Sequence, residues 1–80
     1  TELSYALYRS ATLARKRGDE PMAVRLYAEC ARVRQEVCAA QPRNEPARVA
    51  LARALARAGD HLGAVAAFDP IARRNPNSLN

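Results

Sequence analysis

The chain has little from which to build a bulky core. Among its 80 residues there is no tryptophan, one phenylalanine and three tyrosines, although 49% of the residues are apolar. Alanine is the commonest of those apolar residues, which argues against a large aromatic core and favours helices packed closely through small side chains. No long hydrophobic run is present. The longest extends only from Ala64 to Phe68, far short of the roughly 20 residues that cross a bilayer, so no membrane span is expected. A chain of this length forms at most one small domain, burying about 60% of the surface that it exposes when unfolded.

Histidine and cysteine are equally scarce. His61 is the only histidine, and the two cysteines, Cys30 and Cys38, are placed facing different directions, too few and too scattered for a metal cluster. Eight residues of helix separate these cysteines by about 12 Å along the axis, beyond the ~7 Å that a disulfide tolerates. Free thiols fit a reducing compartment, so a cytoplasmic location is expected. Gly59 and Gly63 do not make a phosphate loop, because no strand precedes them and no Lys-Ser/Thr pair follows. With no general base, no metal and no cofactor motif, the chain is read as a binding protein and not an enzyme. Thr1-Glu2-Leu3 offers neither a basic leader, an apolar signal core nor an initiator methionine, and the expectation is an excerpt from a longer chain.

What the chain does have is a repeat. Gly18, Asp19, Ala23, Val24 and Tyr27 return forty-one residues later as Gly59, Asp60, Ala64, Val65 and Phe68, and Ala31-Arg32 returns as Ala72-Arg73. An internal period of this size marks stacked helical hairpins, units that cannot bury their apolar faces alone. Within each copy the punctuation is helical. Lys16 and Arg17 complement a helix C-terminus, Gly18 supplies a left-handed C-cap, and Asp19 caps the next helix with Glu20 and Pro21 in its first turn. Asn44, Glu45 and Pro46 repeat that start, and Gly59 and Asp60 repeat the turn.

Four helices follow, forming hairpin one over about 2–41 and hairpin two over about 44–75 of a single domain, 1–80. The predicted buried stripes are Leu3, Leu7, Ala11 and Ala14, with Ser10 and Leu13 beside them; Ala23, Leu26, Tyr27, Cys30, Val33, Val37 and Ala40; Val49, Ala52, Leu55 and Ala56; and Leu62, Ala64, Val65, Phe68, Ile71 and Ala72. Pro70 conflicts with the last helix, since proline inside a helix removes a hydrogen bond and crowds the carbonyl four residues back. A kink or break over Ala66 to Pro70 is therefore expected.

Residues Glu45 to Asn77 resemble a tetratricopeptide repeat (TPR), with Leu51, Ala52 and Leu55 on the first-helix signature, Gly59 in the turn, Ala64 and Phe68 on the second helix, and Pro76 closing the unit. Arg48 and Pro70 depart from the pattern. The first copy matches through Leu7, Ala11, Ala23 and Tyr27, but Pro42 arrives seven residues late, two turns that fit a lengthened second helix. That length is similar to repeats of the kinesin-light-chain and bacterial regulatory type. The resemblance implies an all-α fold in which two antiparallel hairpins stack as a short right-handed solenoid. It also implies a protein-protein interaction scaffold whose first helices line a concave face.

On that face the candidate partner-binding residues are Tyr5, Tyr8, Thr12, Arg15, Lys16, Arg53 and Arg57, rich in the aromatic and arginine types that supply hot spots. A peptide or a partner helix is the expected occupant. The family's carboxylate clamp is not evident, because Tyr8, Thr12 and Ala50 stand where it would need Lys or Asn. Self-association, as a homodimer or a longer array, is expected through Val65, Phe68 and Ile71 if no further helix covers them. The net charge of +5, carried by arginine with Lys16 as the only lysine, leaves nucleic-acid binding as the alternative. The arginines lie on all four helices, whereas a nucleic-acid binder concentrates them on one side.

Overall fold

The computed structural model describes residues 2–74, the side chains of 71, 72 and 74 excepted. It consists of four α-helices in sequence order: α1, Glu2–Lys16; α2, Glu20–Ala40; α3, Glu45–Arg57; and α4, His61–Arg74. Each helix packs on the next, α1 on α2, α2 on α3 and α3 on α4. No helix among the described residues is long and apolar enough to cross a membrane.

The two Gly-Asp turns are the same turn built twice. Gly18 and Gly59 take φ values of 84° and 92°, a left-handed conformation open to glycine without a steric penalty. Asp19 N–H donates to the Ala14 carbonyl and Gly18 N–H to that of Arg15, at 2.9 and 3.0 Å; Asp60 to Leu55 and Gly59 to Ala56 repeat this at 2.9 and 3.1 Å. This crossed pair of bonds is the Schellman motif, which satisfies carbonyls stranded at a helix end. Each aspartate then caps the helix that follows. Asp19 accepts from Met22 N–H at 3.3 Å and Asp60 from Gly63 N–H at 2.9 Å, while Asn44 accepts from Ala47 N–H to start α3. The second helix has the 21 residues that the late Pro42 called for.

Small side chains fill the helix contacts. Ala11, Ala14, Ala23 and Tyr27 bury one cluster, and Cys30, Ala31, Cys38, Leu51, Ala52, Ala54, Ala64 and Ala67 bury the other. Ala11 and Ala23, like Ala52 and Ala64, thus sit buried together in their hairpins. The molecule measures 38 × 25 × 17 Å, and its thinnest dimension is less than two helix diameters of about 10–12 Å. Every helix consequently keeps a face in water.

Several predicted core positions are corrected. In α1 it is Ser4, not Leu3, that joins Ala11 and Ala14 inside, and Leu3 and Leu13 are more than half exposed, with Ser10 exposed as well. The reason is closeness: Ser4 lies where the Cys30 thiol donates to its carbonyl at 3.2 Å, an approach that a leucine at that position would obstruct. In α4, Leu62 and Val65 face solvent at 86% and 67%, and the buried contacts are Ala64 and Ala67. This helix packs chiefly on α3, so one narrow stripe suffices. Ala40 is exposed and Val33 and Val37 are half-buried. Cys30 and Cys38, expected to face apart, are both buried in one cluster and free, because eight residues advance about 80° beyond two full turns, within the width of an apolar stripe.

Of the kink or break expected over Ala66 to Pro70, the break does not occur. Helix α4 is continuous from His61 to Arg74 with Pro70 inside it, near the C-terminal end, where the lost N–H leaves few later hydrogen bonds to disturb. Ile71 and Ala72 and the turn Asn75-Pro76-Asn77 lie outside the described side chains and residues respectively.

Candidate functional site

Helices α1 and α3 both lean on α2 and leave a groove between them. Along α1, Tyr5, Tyr8, Thr12 and Arg15 follow one another at spacings of three and four and so share a face. Arg53 and Arg57 do the same on α3. The floor belongs to α2, through Arg34. One compartment of about 220 Å³ is lined by Ser4, Tyr5, Arg34, Val37 and Asn44 against Pro46, Ala47 and Ala50 of α3, and a second of about 280 Å³ by Tyr5, Tyr8 and Arg34 against Pro46, Val49, Ala50 and Arg53. Tyr5, Arg34, Pro46 and Ala50 line both, so the two are continuous.

Tyrosine and arginine interlock along this groove. The Tyr8 ring stands edge-on to Tyr27 with centroids 5.2 Å apart, and it also faces the guanidinium carbons of Arg34 at 5.0 Å and Arg57 at 5.9 Å. Such cation–π contacts gain strength as water is excluded. Arg34 is 7% exposed, and its Nη1 donates to the Ala50 carbonyl at 2.8 Å. Tyr27 is fully buried. Its hydroxyl lies 2.7 Å from Thr12 Oγ1, which in turn donates to the Tyr8 carbonyl at 3.0 Å. Since the single Thr12 proton goes to that carbonyl, Tyr27 is the donor to Thr12.

Arg15 closes the end of the groove nearest the first turn. It makes two parallel bonds to the Glu20 carboxylate, at 3.0 and 2.7 Å, donates to the Arg57 carbonyl at 3.0 Å, and stands 5.0 Å from the Tyr27 ring centroid. The shared hydrogen bond holds Arg15 above its ordinary pKa and Glu20 below the ordinary carboxylate value. Burial pushes the Cys30 thiol up, away from nucleophilic use.

Of the seven predicted binding residues, the structure brings Tyr8, Thr12, Arg15 and Arg57 into one set of contacts with one another or with Tyr27. Tyr5, Lys16 and Arg53 are exposed, with Tyr5 5.8 Å beneath the Arg34 guanidinium by its ring centroid. In the set named for self-association, Val65 is exposed, Phe68 is half-buried against the second cluster, and the Ile71 side chain is outside the description. His61 is exposed, and among the described residues no three His, Cys, Asp or Glu side chains gather as a metal site.

Arg34 is the residue that the sequence reading missed, having counted it only among the scattered arginines. A signal was present. Cys30, Arg34 and Cys38 recur every fourth position, which sets Arg34 on the buried stripe. Compared with protein-family models, curated proteins and solved structures, the chain matches none of them.

Proposed function

We propose that this chain is a TPR-type interaction module, two helical hairpins of a right-handed solenoid, which receives a peptide or partner helix in the groove between α1 and α3. The supporting observation is the groove itself: Tyr5, Tyr8 and Arg53 line it beside a buried arginine. Aromatic and arginine side chains at the centre of a concave surface are the usual carriers of binding energy. Self-association through the outer face of α4, with Val65 and Phe68, is a second use of the same scaffold, motivated by the exposure of Leu62 and Val65. Catalysis is not part of this reading, nor is a cofactor. Nucleic acid is the weaker partner class, because Arg15, Arg32 and Arg73 are already paired with Glu20, Glu29 and Asp69.

Selection of binding peptides from a random display library tests the proposal. Peptides recovered on the chain should lose binding with Tyr5→Ala and Arg53→Glu and keep it with Arg25→Glu on the outer side of α2. Equal loss in all three variants, or no peptide recovered at all, would refute groove binding.

A further inference from the structure

Arg34 is a buried cation with no anion beside it among the described residues. Among the described residues no carboxylate pairs with it, although Arg15, Arg32 and Arg73 each have one. Its hydrogen bond goes to a neutral carbonyl, that of Ala50, and its two ring neighbours, Tyr5 and Tyr8, offer faces and not negative charge. A guanidinium removed from water without a counter-charge is costly unless something compensates it. The compensation has a place. Among the described residues no side-chain nitrogen is both sealed from solvent and unpaired, so the Arg34 donors not used on Ala50 keep some access to solvent, and Arg34 lines both compartments of the groove.

We infer that this opening is the seat of an acidic side chain, a Glu or Asp carboxylate within a bound peptide, and that Arg34 is its anchor. The inference rests on the groove-binding reading and adds the chemistry of the partner to it. Geometry selects a side chain within a peptide. Arg34 lines both compartments of the groove, so chain can continue on either side of the carboxylate. A planar guanidinium can receive a carboxylate through two parallel bonds. Arg53, exposed at the far wall, adds charge of the same sign along the path, and the chain as a whole carries +5.

The test uses an array of peptides blocked at both ends, synthesised in pairs that differ only by Glu or Gln at the centre. A further arm carries central Gln with a free C-terminus. The expected result is binding to the chain about tenfold tighter for Glu than for Gln peptides, the worth of one charge-assisted hydrogen bond. Arg34→Met should abolish that preference, and the free C-terminus should not restore it. In unsubstituted protein the Arg34 Nε–Hε resonance should move on addition of a Glu peptide and stay put with its Gln partner, a readout independent of whether the variant folds.

Equal affinity for Glu and Gln peptides overturns the anchor and leaves the groove reading standing. Binding by neither series overturns both. A preference retained in Arg34→Met, a free C-terminus that replaces Glu, or an Arg34 resonance that responds only to a single-stranded RNA oligonucleotide also overturns the assignment.

Discussion

The Nη1 of Arg34 on α2 donates to the carbonyl oxygen of Ala50 on α3 at 2.8 Å. This contact joins hairpin one to hairpin two at the floor of the groove, and it exchanges a strongly hydrated charge for a single neutral acceptor. Removing the side chain altogether should therefore cost more than removing the charge alone. Arg34→Ala loses the bond, the contact of the guanidinium with the Tyr8 ring and the burial of the stem, and we expect a stability loss of about 2–3 kcal/mol. Arg34→Met keeps the stem and also ends the desolvation cost of the cation, so its loss should be under about 1 kcal/mol. Urea unfolding of the two variants decides; equal losses would contradict this account.

Thr12 and Tyr27 should respond asymmetrically. Because Tyr27 donates and Thr12 accepts, Tyr27→Phe removes a donor together with its bond, at about 1 kcal/mol, whereas Thr12→Val leaves the buried Tyr27 hydroxyl without an acceptor, at about 1–3 kcal/mol. Thermal denaturation should rank Thr12→Val below Tyr27→Phe.

The two turn glycines should respond alike. A Cβ added at Gly18 or Gly59 meets no atom within 4 Å, so the penalty of alanine is that of the backbone conformation alone, about 1–2 kcal/mol at each. Chemical denaturation of Gly18→Ala and Gly59→Ala checks this, and unequal values would show that the turns differ energetically despite their matching bonds.

Along α4 the size of a residue should matter less than its direction. Ala64→Leu adds an isopropyl group in the cluster shared with Ala52, which is 1% exposed, and should destabilise by about 1–3 kcal/mol. Leu62→Ala deletes a larger side chain in water and should change stability by less than about 0.5 kcal/mol. The opposite ranking of melting temperatures would restore the leucine to the core.

The Arg15–Glu20 pair predicts a pH dependence. Glu20 is held below its ordinary pKa in the folded chain by its bond to Arg15, so its contribution is complete above the unfolded value near 4.5 and is lost as pH falls through the lower folded value. Both side chains are partly in water, and the effect should shrink in added salt. Urea midpoints measured from pH 6 down to pH 3 should fall less steeply in Glu20→Gln than in the unsubstituted chain.

Local signals were legible because each is a property of a few neighbouring residues. Glycine followed by aspartate dictated both Schellman turns and their caps, Asn44 with Pro46 dictated the start of α3, and the late Pro42 dictated the length of α2. Such features depend on φ preferences and on capping donors that a short stretch carries with it. The alanines at Ala11, Ala23, Ala52 and Ala64 likewise declared themselves, since only small residues recur at close helix crossings.

What the tertiary structure alone decided is which side of each helix had a neighbour. Apolarity by itself placed Leu3, Leu62 and Val65 inside and left Arg34 as one of the arginines spread over the four helices. A helix only one layer from water buries the stripe that its neighbour touches, and that stripe is chosen by how closely the backbones approach. Ser4 and Ala67 are small enough to be on it, and Arg34 is held there with its guanidinium over the Tyr8 ring and its Nη1 on the Ala50 carbonyl. Local residue patterns set four helices, their ends and the doubled turn; the packing of the helices made the groove, because the groove consists of residues from three helices that no local pattern brings together.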